Sequence, residues 1–188
     1  MQNIDLLIVG KSTIAKELQK IYPQCTIIGR PEYDLAVQDD CDQLVQDYMP
    51  NQVVITHGVG EGDLWNMLQV NYTSAVYLIA KFYEKMSKGQ IIAVGSASTC
   101  WQSWPGIGME RMVYSTTKSG LREFCANLNR KNSPADAEKN SVSVQLYEPN
   151  NFFSPIGHQS KFPAHVAAKE LSMLIENPRI SILQGLNR

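Results

Sequence analysis

Tyr114 and Lys118 stand four residues apart in a stretch with helical spacing, so both side chains project from one helix face. A free phenol ionises near ~10 and is a poor proton-transfer partner at neutral pH. An ammonium group about 4 Å away, at an effective dielectric of ~20, is worth about 4 kcal/mol, or ~3 pKa units. Such a tyrosine would work near neutral pH as a general acid or base. A core tyrosine beside a surface lysine gives the same spacing by chance, so the surroundings matter. Ser96 follows the apolar run Ile91 to Val94, where its hydroxyl would hydrogen-bond a substrate oxygen. Asn71 sits in mid-helix with Leu68 and Ala75 as neighbours, where it would hold a water linking Lys118 to solvent.

A second group of residues suits a phosphate. Gly10-Lys11-Ser12-Thr13-Ile14 follows the first apolar run and feeds a helix N-terminus, which offers free N–H groups and the positive end of the helix dipole. A triphosphate-gripping loop would need glycine where Asp5 stands, and a dinucleotide loop expects glycines where Thr13 and Ala15 fall. Arg30 ends the second strand region, at the place where an acidic residue would bind the ribose hydroxyls of NAD and a cation tolerates a 2′-phosphate. This favours NADP(H) and leaves NAD(H) possible; the alternative is a surface charge at a turn.

The elements that must position these groups follow from the hydrophobic pattern. Ile4 to Val9 is a continuous apolar run closed by Gly10, as in a strand covered on both faces. A helix from Ser12 carries Ile14, Leu18 and Ile21 on one face until Pro23. The spacing then predicts a strand at Cys25 to Gly29, a short extended piece at Tyr33 to Leu35, a helix at Gln38 to Met49 and a strand at Gln52 to Thr56. A long helix follows at Asp63 to Lys85, ended by Gly89, and a strand at Ile91 to Val94. A helix at Met112 to Leu128, a strand at Ser141 to Tyr147, a helix at Ala164 to Ile175 and a strand at Ile180 to Leu183 complete the order. Alternation of this kind predicts an α/β fold: one domain over residues 1–188, a doubly wound parallel sheet of Rossmann type in three α/β/α layers.

Composition narrows the function classes. The chain has 188 residues with 17 Lys+Arg against 18 Asp+Glu, and 44% hydrophobic residues, which fits one globular domain. Scattered charges give no footprint for nucleic acid or an anionic membrane. No stretch approaches ~18 apolar residues and no secretory leader is visible. Cys25, Cys41, Cys100 and Cys125 form no CxxC pair, so free thiols, no metal site and a cytoplasmic location are expected.

Asn71, Ser96, Tyr114 and Lys118, in this order and on these elements, resemble the catalytic tetrad of the short-chain dehydrogenase/reductase family. The resemblance covers nearly the whole chain. Gly10 to Ala15 is similar to the family's glycine-rich turn, Asp34-Leu35 to its adenine-contacting acidic segment, and Thr56-His57-Gly58 to its Asn-Asn-Ala-Gly turn. Pro149-Asn150, Phe152 and Ser154 resemble the turn that approaches the nicotinamide. The resemblance implies a cofactor site at Gly10, Lys11, Ser12, Thr13, Ile14, Arg30, Asp34, Leu35, His57, Gly58, Tyr114, Lys118, Pro149, Asn150, Phe152 and Ser154.

There are departures. One helix is missing between the second and third strands. Ser96 and Tyr114 lie 18 positions apart, and the insert is bulky. Ser98, Trp101 and Trp104 from it, with Phe153, are the expected substrate-pocket residues, with packing of the insert on a partner as the alternative. Only a short segment at about 150–163 is left as a lid. The resemblance implies hydride transfer between NADP(H) and a small carbonyl or alcohol substrate, with the helices Asp63 to Lys85 and Met112 to Leu128 packing in a homodimer or higher homo-oligomer. A nucleotide-binding sensor or scaffold, and a sugar-nucleotide epimerase or dehydratase, are the alternatives.

Overall fold

The computed structural model describes residues 1–96, 108–131, 141–149, 152–153 and 162–177. Five parallel strands form one sheet in the order β2-β1-β3-β4-β5, from β1 (Gln2–Val9), β2 (Thr26–Ile28), β3 (Tyr48–Ile55), β4 (Lys88–Val94) and β5 (Ser141–Tyr147). The helices between them are α1 (Thr13–Ile21), α2 (Gln38–Asp47), α3 (Leu64–Leu68), α4 (Ser74–Lys85), α5 (Met109–Lys131) and α6 (Ala164–Glu176). A π-turn at Gln69–Thr73 joins α3 to α4, so the predicted long helix is present but widened in its middle. Two short strands, β6 (Phe152–Phe153) and β7 (Phe162–Pro163), pair separately at the two ends of the expected lid.

Alternation along each strand supplies two cores. Leu7, Val9, Val53, Ile55, Ile91 and Ala93 face α2, α4 and α5, with Leu44, Leu78, Phe82 and Leu121 packed on them. Leu6, Ile8, Val54, Ile92 and Tyr147 face α1 and α6, against Leu18, Ala168 and Leu171. A sheet covered on both faces explains the continuous apolar strands.

The sheet order is that of a doubly wound fold without its outer strand. The expected loss of a helix falls between β2 and α2, where only residues 29–37 connect the two and neither the usual helix nor the outer strand is present. Tyr33 to Leu35, however, join no strand: a turn runs from Asp34 to Val37, whose N–H donates to the Asp34 carbonyl oxygen at 2.8 Å. Asp34 accepts the Ala36 N–H at 3.1 Å, and Leu35 is drawn into the core, 7% exposed. Other boundaries also move. Tyr48 and Met49 belong to β3, where they pair with Gln2 and Asn3. Gly89 lies inside β4: a Cβ there would stand 2.2 Å from the Asn51 carbonyl oxygen, so a close neighbouring strand demands the glycine. Ile21 is exposed at the end of α1. The strand expected at Ile180 to Leu183 lies outside the described residues.

Candidate active site

Every strand of the sheet delivers its following loop to one edge, the carboxyl edge, where ligands bind in open α/β sheets. The β1–β3 gap is where the chain reverses direction across the sheet, and the segment after β3 crosses it. Thr56 to Val59 is fixed residue by residue. The Thr56 hydroxyl donates to the carbonyl oxygens of Gly10 at 2.9 Å and Val9 at 3.2 Å. His57 is 6% exposed, and its Nε2 lies 3.0 Å from the Ser74 hydroxyl. Val59 donates its N–H to Asn71 Oδ1 and accepts from Asn71 Nδ2, both at 2.7 Å. Between them Gly58 leaves room for the lysine: a Cβ there would lie 3.1 Å from Asn71 Oδ1 and 3.4 Å from Lys118 Nζ.

Lys118 reaches this point from α5. Its Nζ donates to the Val94 carbonyl oxygen at 3.1 Å and sits 5.9 Å from the centre of the Tyr114 ring, confirming the shared helix face. Burial lowers its amine to about 8, so the group still carries its charge at neutral pH. The Ser96 hydroxyl hydrogen-bonds the Tyr114 phenol. Burial nevertheless holds the phenol above its ordinary value, with the Ser96 contact as the opposing effect. Lys118, expected from the spacing to acidify the phenol, is not what opposes the shift: desolvation raises it and the Ser96 contact alone lowers it. Asn71 also differs from expectation. It is fully buried on the π-turn and spends its amide on Val59, making it an anchor for the loop and not a side chain that holds water.

The phosphate end begins with Gly10, whose φ of +106° and contact with His57 exclude a side chain. Ser12 caps α1 through a 3.1 Å bond from the Ala15 N–H, leaving the Thr13 and Ile14 amides at the helix start. The Ile14 side chain is in the core. Lys11 is paired with Glu32, and Arg30 forms a double contact with Asp34, both at 2.8 Å. Arg30 accordingly lowers the Asp34 carboxyl below its usual range. Both cations thus carry acidic partners, and Leu35 offers its side chain to the core and not to a ligand. Pro149 is buried after Glu148, which Arg122 of α5 grips through two bonds of 3.0 and 2.5 Å. Asn150, Ser154, Ser98, Trp101 and Trp104 lie outside the described residues, and Phe152 and Phe153 are described only as backbone of β6.

Sequence reasoning missed Ser74, Val59, Glu32 and the Arg122–Glu148 pair. Ser74, three residues after Asn71 on a predicted buried helix face, was the one with a visible signal.

No family model matches the sequence, and no curated protein does. Solved structures match its fold over most of its length. BdcA in complex with NADPH shares 14% identity over 93% of this chain and 86% of its own, at a TM-score of 0.72. The 3-alpha-hydroxysteroid dehydrogenase from Pseudomonas sp. B-0831, complexed with NADH, shares 18% identity over 98% and 93%, at 0.73. A GDP-L-fucose synthetase from Naegleria fowleri shares 18% over 91% and 68%, at 0.72. The chain has the Rossmann-type α/β fold of short-chain dehydrogenases/reductases.

Proposed function

We propose that the chain is a member of the short-chain dehydrogenase/reductase family that interconverts a carbonyl and an alcohol with NADP(H). The convergence of Ser96, Tyr114 and Lys118 at the carboxyl edge of the sheet carries this reading. The residues present fit a dinucleotide: the free amides at the start of α1 suit a pyrophosphate, and the space at Gly58 admits the Lys118 ammonium to a ribose. Bound there, NADP(H) would supply the hydride. The chain's own groups supply position and proton. A phenol held up by burial is protonated at neutral pH, so in the reductive direction Tyr114 enters as the acid that protonates a forming alkoxide. Ser96 hydrogen-bonds the same oxygen. The Lys118 charge stabilises the phenolate left behind, and Val94 and Gly58 hold the amine in place.

Arg30 remains the candidate for a 2′-phosphate, in competition with Asp34. Ser98, Trp101, Trp104 and Phe153 are the proposed substrate contacts beneath a lid at about 150–163 of a single domain. A second copy of the chain is the proposed partner: Leu64, Trp65, Leu68, Tyr72, Met109 and Met112 are exposed on α3, the π-turn and α5. No described helix is long and apolar enough to cross a membrane, and the free thiols of Cys25, Cys41 and Cys125 suit a reducing, cytoplasmic setting.

The test is consumption of NADPH and NADH against a panel of aldehydes and ketones. Saturable turnover supports the reading. Tight nucleotide binding with no turnover against any substrate would favour a sensor, the reading to which the glycine-poor turn at Gly10 to Ala15 lends weight.

A further inference from the structure

We propose that His57 is a positioning residue: through Ser74 it holds the π-turn of the long helix, so that Asn71 and Gly58 close around the Lys118 amine. The proposal deepens the oxidoreductase reading and rests on it for the purpose of Lys118, while its geometry is independent of turnover.

In a regular α-turn the Ser74 amide would take the Val70 carbonyl; here it takes the Gln69 carbonyl instead. The Val70 carbonyl takes the Ser74 hydroxyl, at 3.0 Å. With its one proton on the Val70 carbonyl, Ser74 accepts from His57, and the hydrogen is assigned to Nε2 on that ground. The chain of donors runs from His57 Nε2–H to Ser74 and from Ser74 to Val70. Without it the skipped carbonyl would keep only the approach of the His57 ring, and the α-turn would be the better-bonded arrangement. A wide turn takes in one residue more than an α-turn and changes the direction of the side chains on it, Asn71 among them.

The same tautomer leaves His57 Nδ1 as a bare, buried acceptor with no partner among the described residues. A proton there would place a second cation near Lys118. Burial and the Lys118 charge together lower the imidazole to about 3, so the histidine stays neutral and works as a donor only. A leucine would fill the volume but could not donate; a glutamine keeps an N–H at similar reach.

The experiment follows the Lys118 amine by NMR titration in wild type, His57→Leu, Ser74→Ala and His57→Gln. The proposal expects a midpoint near 8 in wild type and His57→Gln, and a rise toward 10.5 in His57→Leu and Ser74→Ala as the opened turn admits water. A role confined to filling volume would leave the midpoint near 8 in His57→Leu, whose side chain fills the same space. Should His57→Leu fail to fold, Ser74→Ala decides, since it removes one oxygen. An unchanged midpoint in Ser74→Ala overturns the proposal. Absence of NADPH consumption by wild type would remove the oxidoreductase reading and leave this titration untouched.

Discussion

Gly10 and His57 touch backbone to backbone across the β1–β3 gap: a Cβ on Gly10 would stand 2.6 Å from the His57 amide nitrogen and 2.7 Å from its Cα. The phosphate-side turn and the loop that shapes the lysine pocket are therefore one rigid unit. Gly10→Ala must both shift that backbone and hold a positive φ, and the expected loss is about 3 kcal/mol or more in denaturant melts.

Asn71→Ala removes two hydrogen bonds to Val59 and leaves that residue's N–H and C=O without their partner. The expected destabilisation is about 2 to 3 kcal/mol by chemical denaturation, with turnover falling further than folding as Gly58 loses its place over Lys118.

His57 gives stability a pH dependence of known sign. Its pKa is about 3 when folded and 6.5 unfolded, so the unfolded chain binds the extra proton between these values and stability falls as pH drops through the window. At a pH of about 5 the loss is about 2 kcal/mol relative to neutral pH. His57→Gln removes this component, and the two melting curves compared across pH check it. Lys118 adds a rise in stability at alkaline pH, from about 8 up to 10.5, where the unfolded chain again binds more protons.

Arg30 and Asp34 are exposed, so their pair contributes little to folding but screens the cation from a ligand. Asp34→Asn is expected to leave the melting point nearly unchanged and to improve the NADPH over NADH affinity ratio about 5-fold or more in thermal-shift titrations. An unaltered ratio would remove Arg30 from the cofactor site.

The exposed Trp65 tests the proposed dimer. Trp65→Glu is expected to convert it to a monomer at micromolar concentration by light scattering; a wild-type monomer would contradict that partner.

The succession of strands and helices along the chain and the Tyr114–Lys118 face were legible because both rest on periodicity, which burial on two sides of a parallel sheet imposes directly. Ser96 was legible for a related reason, since the residues just past a strand must reach the carboxyl edge. What escaped were effects that depend on distance in space. Asn71 looked free to hold water because nothing in its neighbourhood along the chain names Val59. Arg30 looked available because the carboxylate of Asp34, one turn away, had been assigned to the adenine. The phenol looked acidic because spacing reveals a nearby amine but not how much water is lost around both groups. Tyr33 to Leu35 read as extended because a turn held by an aspartate and an aliphatic side chain pulled inward have no period at all.

The central claim is that the Tyr114 phenol passes its proton to a substrate oxygen, and the most direct measurement is the NADPH consumption rate of Tyr114→Phe beside wild type, with nucleotide affinity measured in parallel. The account predicts a rate at least about 1,000-fold lower with affinity retained within a few-fold, since only the proton donor is lost. Equal rates in the two proteins would contradict it.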